Sequence, residues 1–345
     1  MDTTKKEIRE PLFDIAKGLC MIFVVAGHCY APYYKFYTLF HVLFFFILAG
    51  NFFKEEYIDT FNNLKNYIVK IWKRYALPYI SCNVAFLCLY NFFIKMDIVT
   101  TDTRLEAIHC LNVNELITRA LNHLFLISSS EQLCGATWFL KSLFWGLLTF
   151  ALMRFIIKKT NKYIIYVSII IFLLLLTEKF ENNNLFYYSQ SIILLCIGDI
   201  LKNYIPSFKL KLTLILIPLL IILIYLSQMI SIRMLRIIII GILGFYFVMF
   251  LSNIIKKCNI NLQKIFVYIG QHTIPILCFH LLVFKLVTYF VIITNNLSIE
   301  KLGVFPAIQA SCKLSLLYLF VGIIFPISIN IVYNSISRLG EINNG

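Results

Sequence analysis

Residues 14–30 read DIAKGLCMIFVVAGHCY, an apolar run with Asp14 and Lys17 near one end and His28 near the other. In water these would be ordinary surface positions. Inside a bilayer an ionisable group is costly, and its default reading is functional. The rest of the chain decides which solvent applies. Of 345 residues, 60% are hydrophobic and only 14% are charged, and mean hydropathy is +0.82. Soluble domains carry roughly 25% charged residues, so the composition specifies an integral membrane protein. The basic start MDTTKKEIREP leads into an apolar stretch without a small-residue cleavage site, which argues against a cleaved signal peptide.

A helix crosses the hydrocarbon core with about 20 predominantly apolar residues. Such stretches lie near 12–32, 38–53, 75–95, 137–157, 162–177, 185–202, 211–229, 235–255, 272–294 and 313–336. The expected fold is therefore all-α: a polytopic transmembrane bundle of about ten spans, one domain over 1–345 with its core at about 11–336. Basic residues cluster at the N-terminus (Lys5, Lys6, Arg9) and in alternate connections: Lys54, Lys65, Lys70, Lys73 and Arg74; Arg154, Lys158, Lys159 and Lys162; Lys202, Lys209 and Lys211; Lys256, Lys257 and Lys264. The intervening connections are poorer, holding Lys35, Lys179, Arg233 and Arg236. The positive-inside rule then puts both termini in the cytoplasm and the long acidic connection 96–135, with Asp97, Asp102, Glu106, Glu115 and Glu131 against Arg104 and Arg119, outside. The net charge of +14 follows topology, so no nucleic-acid partner is needed. The ten cysteines lie mostly in apolar runs without a C-x-x-C pair, which gives no metal site. Cys110 and Cys134 share the 96–135 connection and are a candidate disulfide pair on condition that it is extracytoplasmic.

Lys17 and His28 are eleven residues apart, so on a helix they differ by about 20° in direction and roughly 16 Å in height. Asp14, three before Lys17, falls on the same side. The three form one polar stripe, which must face protein or water. An ion pair at the membrane edge plus a hydrogen-bonded core histidine would explain the same spacing. FHVLFFFILAGNFF puts His41 at the start of the second span, near the depth of His28. ATWFLKSLF puts Trp138 and Lys141 at the outer start of the fourth, where an interfacial tryptophan is ordinary. FVYIGQHTIPILCFH reads as an amphipathic lead-in ended by Gly270, then a helix with Thr273 as cap and Pro275 in its first turn, carrying His280.

Taken together, the K-x10-H spacing of Lys17 and His28, FHVLFFFILAGNFF, WKRYALPY, WFLKSLF and IGQHTIPILCFH resemble, in that order, the membrane acyltransferase-3 superfamily. The resemblance spans roughly 11–336 and is nearest to small sugar O-acetyltransferases of the fucose 4-O-acetylase-like group. It implies a multi-pass protein of the cell (plasma or inner) membrane that moves an acetyl or other acyl group from cytoplasmic acetyl-CoA, a co-substrate and not a bound cofactor, to a hydroxyl of a carbohydrate or lipid-linked glycan. Modification of cell-surface polysaccharide is the implied setting. The family's basic residue and histidine in the first span fall on Lys17 and His28, and its basic motif before the third span on Lys73 and Arg74. Lys17 stands where arginine is frequent, keeping charge but losing bidentate geometry, and Ala49 stands where serine is common. No SGNH-type hydrolase domain is expected after the bundle.

The implied chemistry needs a base, a group to receive charge on the thioester oxygen, and cations for the CoA phosphates. His28 suits the base because imidazole titrates near neutrality; an acyl-histidine route is also open. Lys70, Lys73 and Arg74 suit the phosphates. Lys17 suits donor guidance or balance of Asp14. Trp138, His41 and Lys141 are N–H donors near the outer end, and Trp138, Asp14 and His280 are further expected substrate contacts. Two alternatives stand beside the enzyme: a transporter or exporter of a glycan or its precursor, and a non-catalytic protein on the same scaffold.

Overall fold

The structure, a computed structural model, describes residues 10–99, 109–158, 160–177, 184–202, 204, 210–308 and 311–343. The expected cations Lys5, Lys6, Arg9, Arg104, Lys159, Lys179 and Lys209, and the acids Asp102 and Glu106, lie outside these residues. The described residues form helices and no strands. Helix α1 (Pro11–His28) opens with Pro11, whose missing N–H costs nothing in a first turn. A tight reversal follows, with Tyr30 and Tyr33 in the left-handed region at φ 54° and 63°. The short α2 (Tyr34–Tyr37) then leads into α3 (His41–Asn51), so His28 and His41 emerge at the same end of two adjacent helices.

After α3 the chain turns through a short strap, residues 52–60, into α4 (Phe61–Ile71), where Thr60 caps the first turn by accepting from the Asn63 amide at 3.1 Å. Leu64, Tyr67 and Ile71 form its one buried stripe. A single π turn, Trp72–Ala76, joins α4 to α5 (Leu77–Cys88). Helices α6 (Tyr90–Lys95), α7 (Val113–Leu124), α8 (Trp138–Ile156), α9 (Lys162–Thr177) and α10 (Asn184–Leu201) follow. The remainder are α11 (Leu210–Ser227), α12 (Arg233–Lys257), α13 (Ile260–Gln271), α14 (Thr273–Thr294) and α15 (Cys312–Asn343).

Among the described residues, six helical stretches are long and apolar enough to span a membrane: Pro11–His28, Tyr34–Asn51, Gln132–Ile156, Arg233–Lys257, Thr273–Thr294 and Cys312–Ile329. The stretches expected at 162–177, 185–202 and 211–229 fall on shorter apolar helices among the described residues. The expected third span, 75–95, is broken, because Leu89 leaves the helical region between α5 and α6. The chain is thus an all-helical protein with several membrane-compatible helices.

Glycine sets the closest crossings. A Cβ on Gly18 would collide with the backbone of Phe266, and one on Gly270 with the backbone of Asp14, so α1 and α13 touch main chain to main chain. Such small-residue contacts suit helix packing in lipid, where close approach replaces the hydrophobic effect. The expected cap at Thr273 is corrected: α14 begins at Thr273 itself, with His272 in the cap position and no side-chain cap. The expected Cys110–Cys134 disulfide is corrected too. Both are free thiols, Cys110 exposed and Cys134 buried, with the Cys134 thiol directed to Asn83 Oδ1 at 3.3 Å.

Candidate active site

One cavity of about 1090 Å³ runs alongside α1, lined from Glu10 at its start to His28 at its end. Eighteen helical residues rise about 27 Å, close to the thickness of a hydrocarbon core. Lining residues are exposed at both extremes, Lys54 and Arg74 at one and Thr38 and Tyr187 at the other.

The two ends differ in chemistry. Glu10, Lys17, Lys54 and Arg74 line the first, with Tyr57 and Tyr75. The π turn explains which basic residue faces in: the wider turn leaves Lys73 exposed and outside the lining, while Arg74 and Tyr75 line the wall. Lys70 also stays outside, its ammonium 3.4 Å from the Tyr57 hydroxyl and above that ring. Lys17 is ion-paired to the buried Asp14, which lies behind the lining and is reached by Gln271 Nε2 at 3.4 Å. Lys54 and Tyr57 belong to the strap, which cations from neighbouring helices hold in place. Arg154 and Lys162 bind Glu55, Lys158 donates to the Asp59 carbonyl at 2.7 Å, and Lys202 donates to the Phe53 carbonyl at 2.9 Å. Partial burial alone would raise the Glu55 carboxyl, but the hydrogen bond and charge of Arg154, with Lys162, hold it below the usual carboxylate range.

Around His28 the wall carries His41, Trp138, Tyr187, Gln190 and Thr38 and, among the described residues, no acid or permanent cation. His41 is buried, and its Nδ1 donates to the Tyr37 carbonyl at 3.0 Å. A neutral His41 therefore offers the site a lone pair on Nε2, which corrects its expected use as an N–H donor. Trp138 and Tyr187 pack with ring centroids 5.1 Å apart. Gln190 is 6% exposed and faces the cavity without a hydrogen bond among the described residues. The expected N–H donor Lys141 is corrected: it lies off the lining and donates to the Ser128 and Ile127 carbonyls at 2.7 and 3.4 Å, which ties the preceding loop to α8. His280 is fully buried behind the wall, its ring 5.2 Å from that of His28.

The structure thus brings Lys17, His28, His41, Arg74 and Trp138 to one cavity, with Asp14 and His280 against its lining side chains. Sequence reasoning missed Lys54, counted only for topology, and Tyr187 and Gln190 within NLFYYSQSII. The amide in that apolar run was the available signal. No group of His, Cys, Asp or Glu among the described residues is arranged to hold a metal ion.

A family model described as an acyltransferase domain matches residues 11–335. The match reaches the family as a whole and no narrower sugar-acetylase group. No curated protein and no solved structure matches the chain.

Proposed function

The chain belongs to the acyltransferase-3 family, and from that premise we propose that the cavity is an acyl-transfer path open to both sides of a cell membrane. Acetyl-CoA or another acyl-CoA enters at the Lys54 end, which we take as cytoplasmic. The observation that carries the reading is the division of a single cavity into a cationic end and an uncharged, aromatic end that meets two histidines. Arg74, Lys54 and Lys17 suit the CoA phosphates, because a cation–phosphate contact is a charge-assisted hydrogen bond. Trp138, Tyr187 and Gln190 suit a sugar hydroxyl acceptor, free or lipid-linked, since flat apolar faces and an unused amide complement a hydroxylated ring. The family match gives the exporter alternative no support.

His28 is the base in this reading. It takes the acceptor O–H proton as the oxygen attacks the thioester carbon, and returns it to the departing CoA thiolate. Trp138 Nε1 and the Gln190 amide supply uncommitted N–H groups for the thioester oxygen. Replacing His28 with Gln keeps a hydrogen-bonding side chain but removes the base, so acyl transfer falls by about 10²–10⁴-fold, the usual contribution of general acid–base catalysis. The measurements are CoA release from acetyl-CoA by membranes and mass spectrometry of surface glycans. Near-normal turnover in a folded Gln variant removes His28 from the mechanism. Absence of thioester consumption by the native protein overturns the enzyme itself.

A further inference from the structure

His280 is 0% exposed, and its Nδ1 lies 2.7 Å from the Ile276 carbonyl. A carbonyl only accepts, so Nδ1 carries the proton and a neutral ring presents a lone pair at Nε2. That Nε2 is buried and has no hydrogen-bond partner among the described residues, an arrangement that costs free energy unless it serves something. The ring that lies beside it is His28, at 5.2 Å between centroids and 40° between planes. His28 lines the cavity and His280 does not. The backbone on either side is well fixed: α14 packs on α1 and on α15, and the neighbouring Phe284 ring meets His280 edge-on at 5.7 Å.

We propose that His280 is a positioning residue for His28: its bare Nε2 accepts the N–H of the His28 imidazole on the side away from the cavity, leaving the other nitrogen of His28 to face the acceptor hydroxyl. The inference rests on the reading of His28 as the base. The Ile276 carbonyl holds the His280 ring, so the contact closes by movement of the His28 ring. When His28 takes the acceptor proton, the C–O bond forms and the C–S bond of the thioester breaks. The N–H directed to His280 then belongs to an imidazolium, and the bond strengthens because its donor is now charged. The same proton passes from the cavity-side nitrogen to the thiolate, so His280 ends as it began. It acts through the tautomer and orientation of its neighbour, as the orienting member of a catalytic triad does.

His280→Phe keeps a ring of similar volume and removes the acceptor, whereas His280→Gln can place a carbonyl oxygen near the lost Nε2. In full-length protein in native membranes, with acetyl-CoA as the probe, His280→Phe lowers kcat by about 10- to 100-fold, as expected for one bond that strengthens in the transition state. The KM for acetyl-CoA stays unchanged, and His280→Gln recovers most of the rate. In a His28→Ala background, His280→Phe has no further effect on the residual rate. A fully active His280→Phe overturns the proposal, as does a folded His280→Gln variant as impaired as His280→Phe. So does an undiminished effect of His280→Phe without His28. If His28→Gln alone turns over normally, the base assignment has failed, and that result is distinct from each of these.

Discussion

Glu55 sits between two lining residues, Lys54 and Tyr57, with 55% of its side chain exposed, whereas Glu131 leads into the segment that carries Ala136 and Trp138 and is 3% exposed. Each carboxylate is held by two partners. Arg154 and Lys162 hold Glu55; Arg119 and His123 hold Glu131 at 2.9 and 2.8 Å, and the Glu131 amide donates to Asn83 Oδ1 at 2.7 Å. His123 is fully buried and Tyr79, beside it, donates to the Ser128 carbonyl at 2.9 Å. The carboxylates differ in solvent, although Arg154, which holds Glu55, is itself only 5% exposed. An exposed pair contributes about 0–1 kcal/mol, while removing one member of a buried pair costs about 3–5 kcal/mol. The aromatic end of the cavity is therefore framed by a buried carboxylate, and the cationic end by a strap whose carboxylate is exposed.

The largest effect that would sharpen this contrast comes from Glu131→Ala. It strands His123 and the half-buried Arg119, and stability falls by about 3–5 kcal/mol, read as a large drop in the thermal unfolding midpoint of purified protein. Acyl transfer falls with the folded fraction. If the variant melts within a degree or two of the native protein, the frame is not fixed by Glu131 and the contrast fails.

Next in size is Arg74→Ala. A phosphate contact far from the thioester holds ground and transition states alike, so its loss raises the KM for acetyl-CoA, by about 10-fold for one charged contact, and leaves kcat near native. Lys73→Ala serves as control, because Lys73 is exposed off the lining. Equal effects at the two positions would mean that the π turn does not choose between them. A fall in kcat alone would remove Arg74 from donor binding.

That control also marks where the sequence was readable. Helical periodicity brought Lys17 and His28 to the cavity side of α1, because an 18-residue helix obeys its period, while Asp14 lies behind that lining. The choice between Lys73 and Arg74 was not legible, since a π turn shifts the register by a fraction of a turn and nothing in WKRYALPY announces it. The break at Leu89 was hidden for a similar reason: LYNFF is as apolar as a continuous span. Tyr187 and Gln190 lay inside an apolar run, and a neutral amide carries less weight by eye than a charge. The meeting of His28 with His280 depends on α1 packing beside α14, which no local pattern contains.

The smallest effect belongs to Glu55. Its carboxyl is held below the usual range, so the folded state binds its proton less readily than the unfolded chain, where a glutamate titrates near about 4.3. The stabilisation is fully present above that value and is lost as pH falls through the folded one; between pH 7 and 5 this group contributes no slope. With more than half of the side chain in solvent, the whole contribution is about 0–1 kcal/mol. Glu55→Gln should therefore shift the melting temperature little at pH 7 and flatten the loss of stability below about pH 4.3. It should also raise the KM for acetyl-CoA less than Arg74→Ala does, because it loosens the strap bearing Lys54 and Tyr57 without removing either side chain. Melting curves across pH, paired with acetyl-CoA titrations at pH 7, measure both. If Glu55→Gln costs as much stability as Glu131→Ala, the cationic end is as rigid as the aromatic one. The donor would then have to fit a preformed mouth.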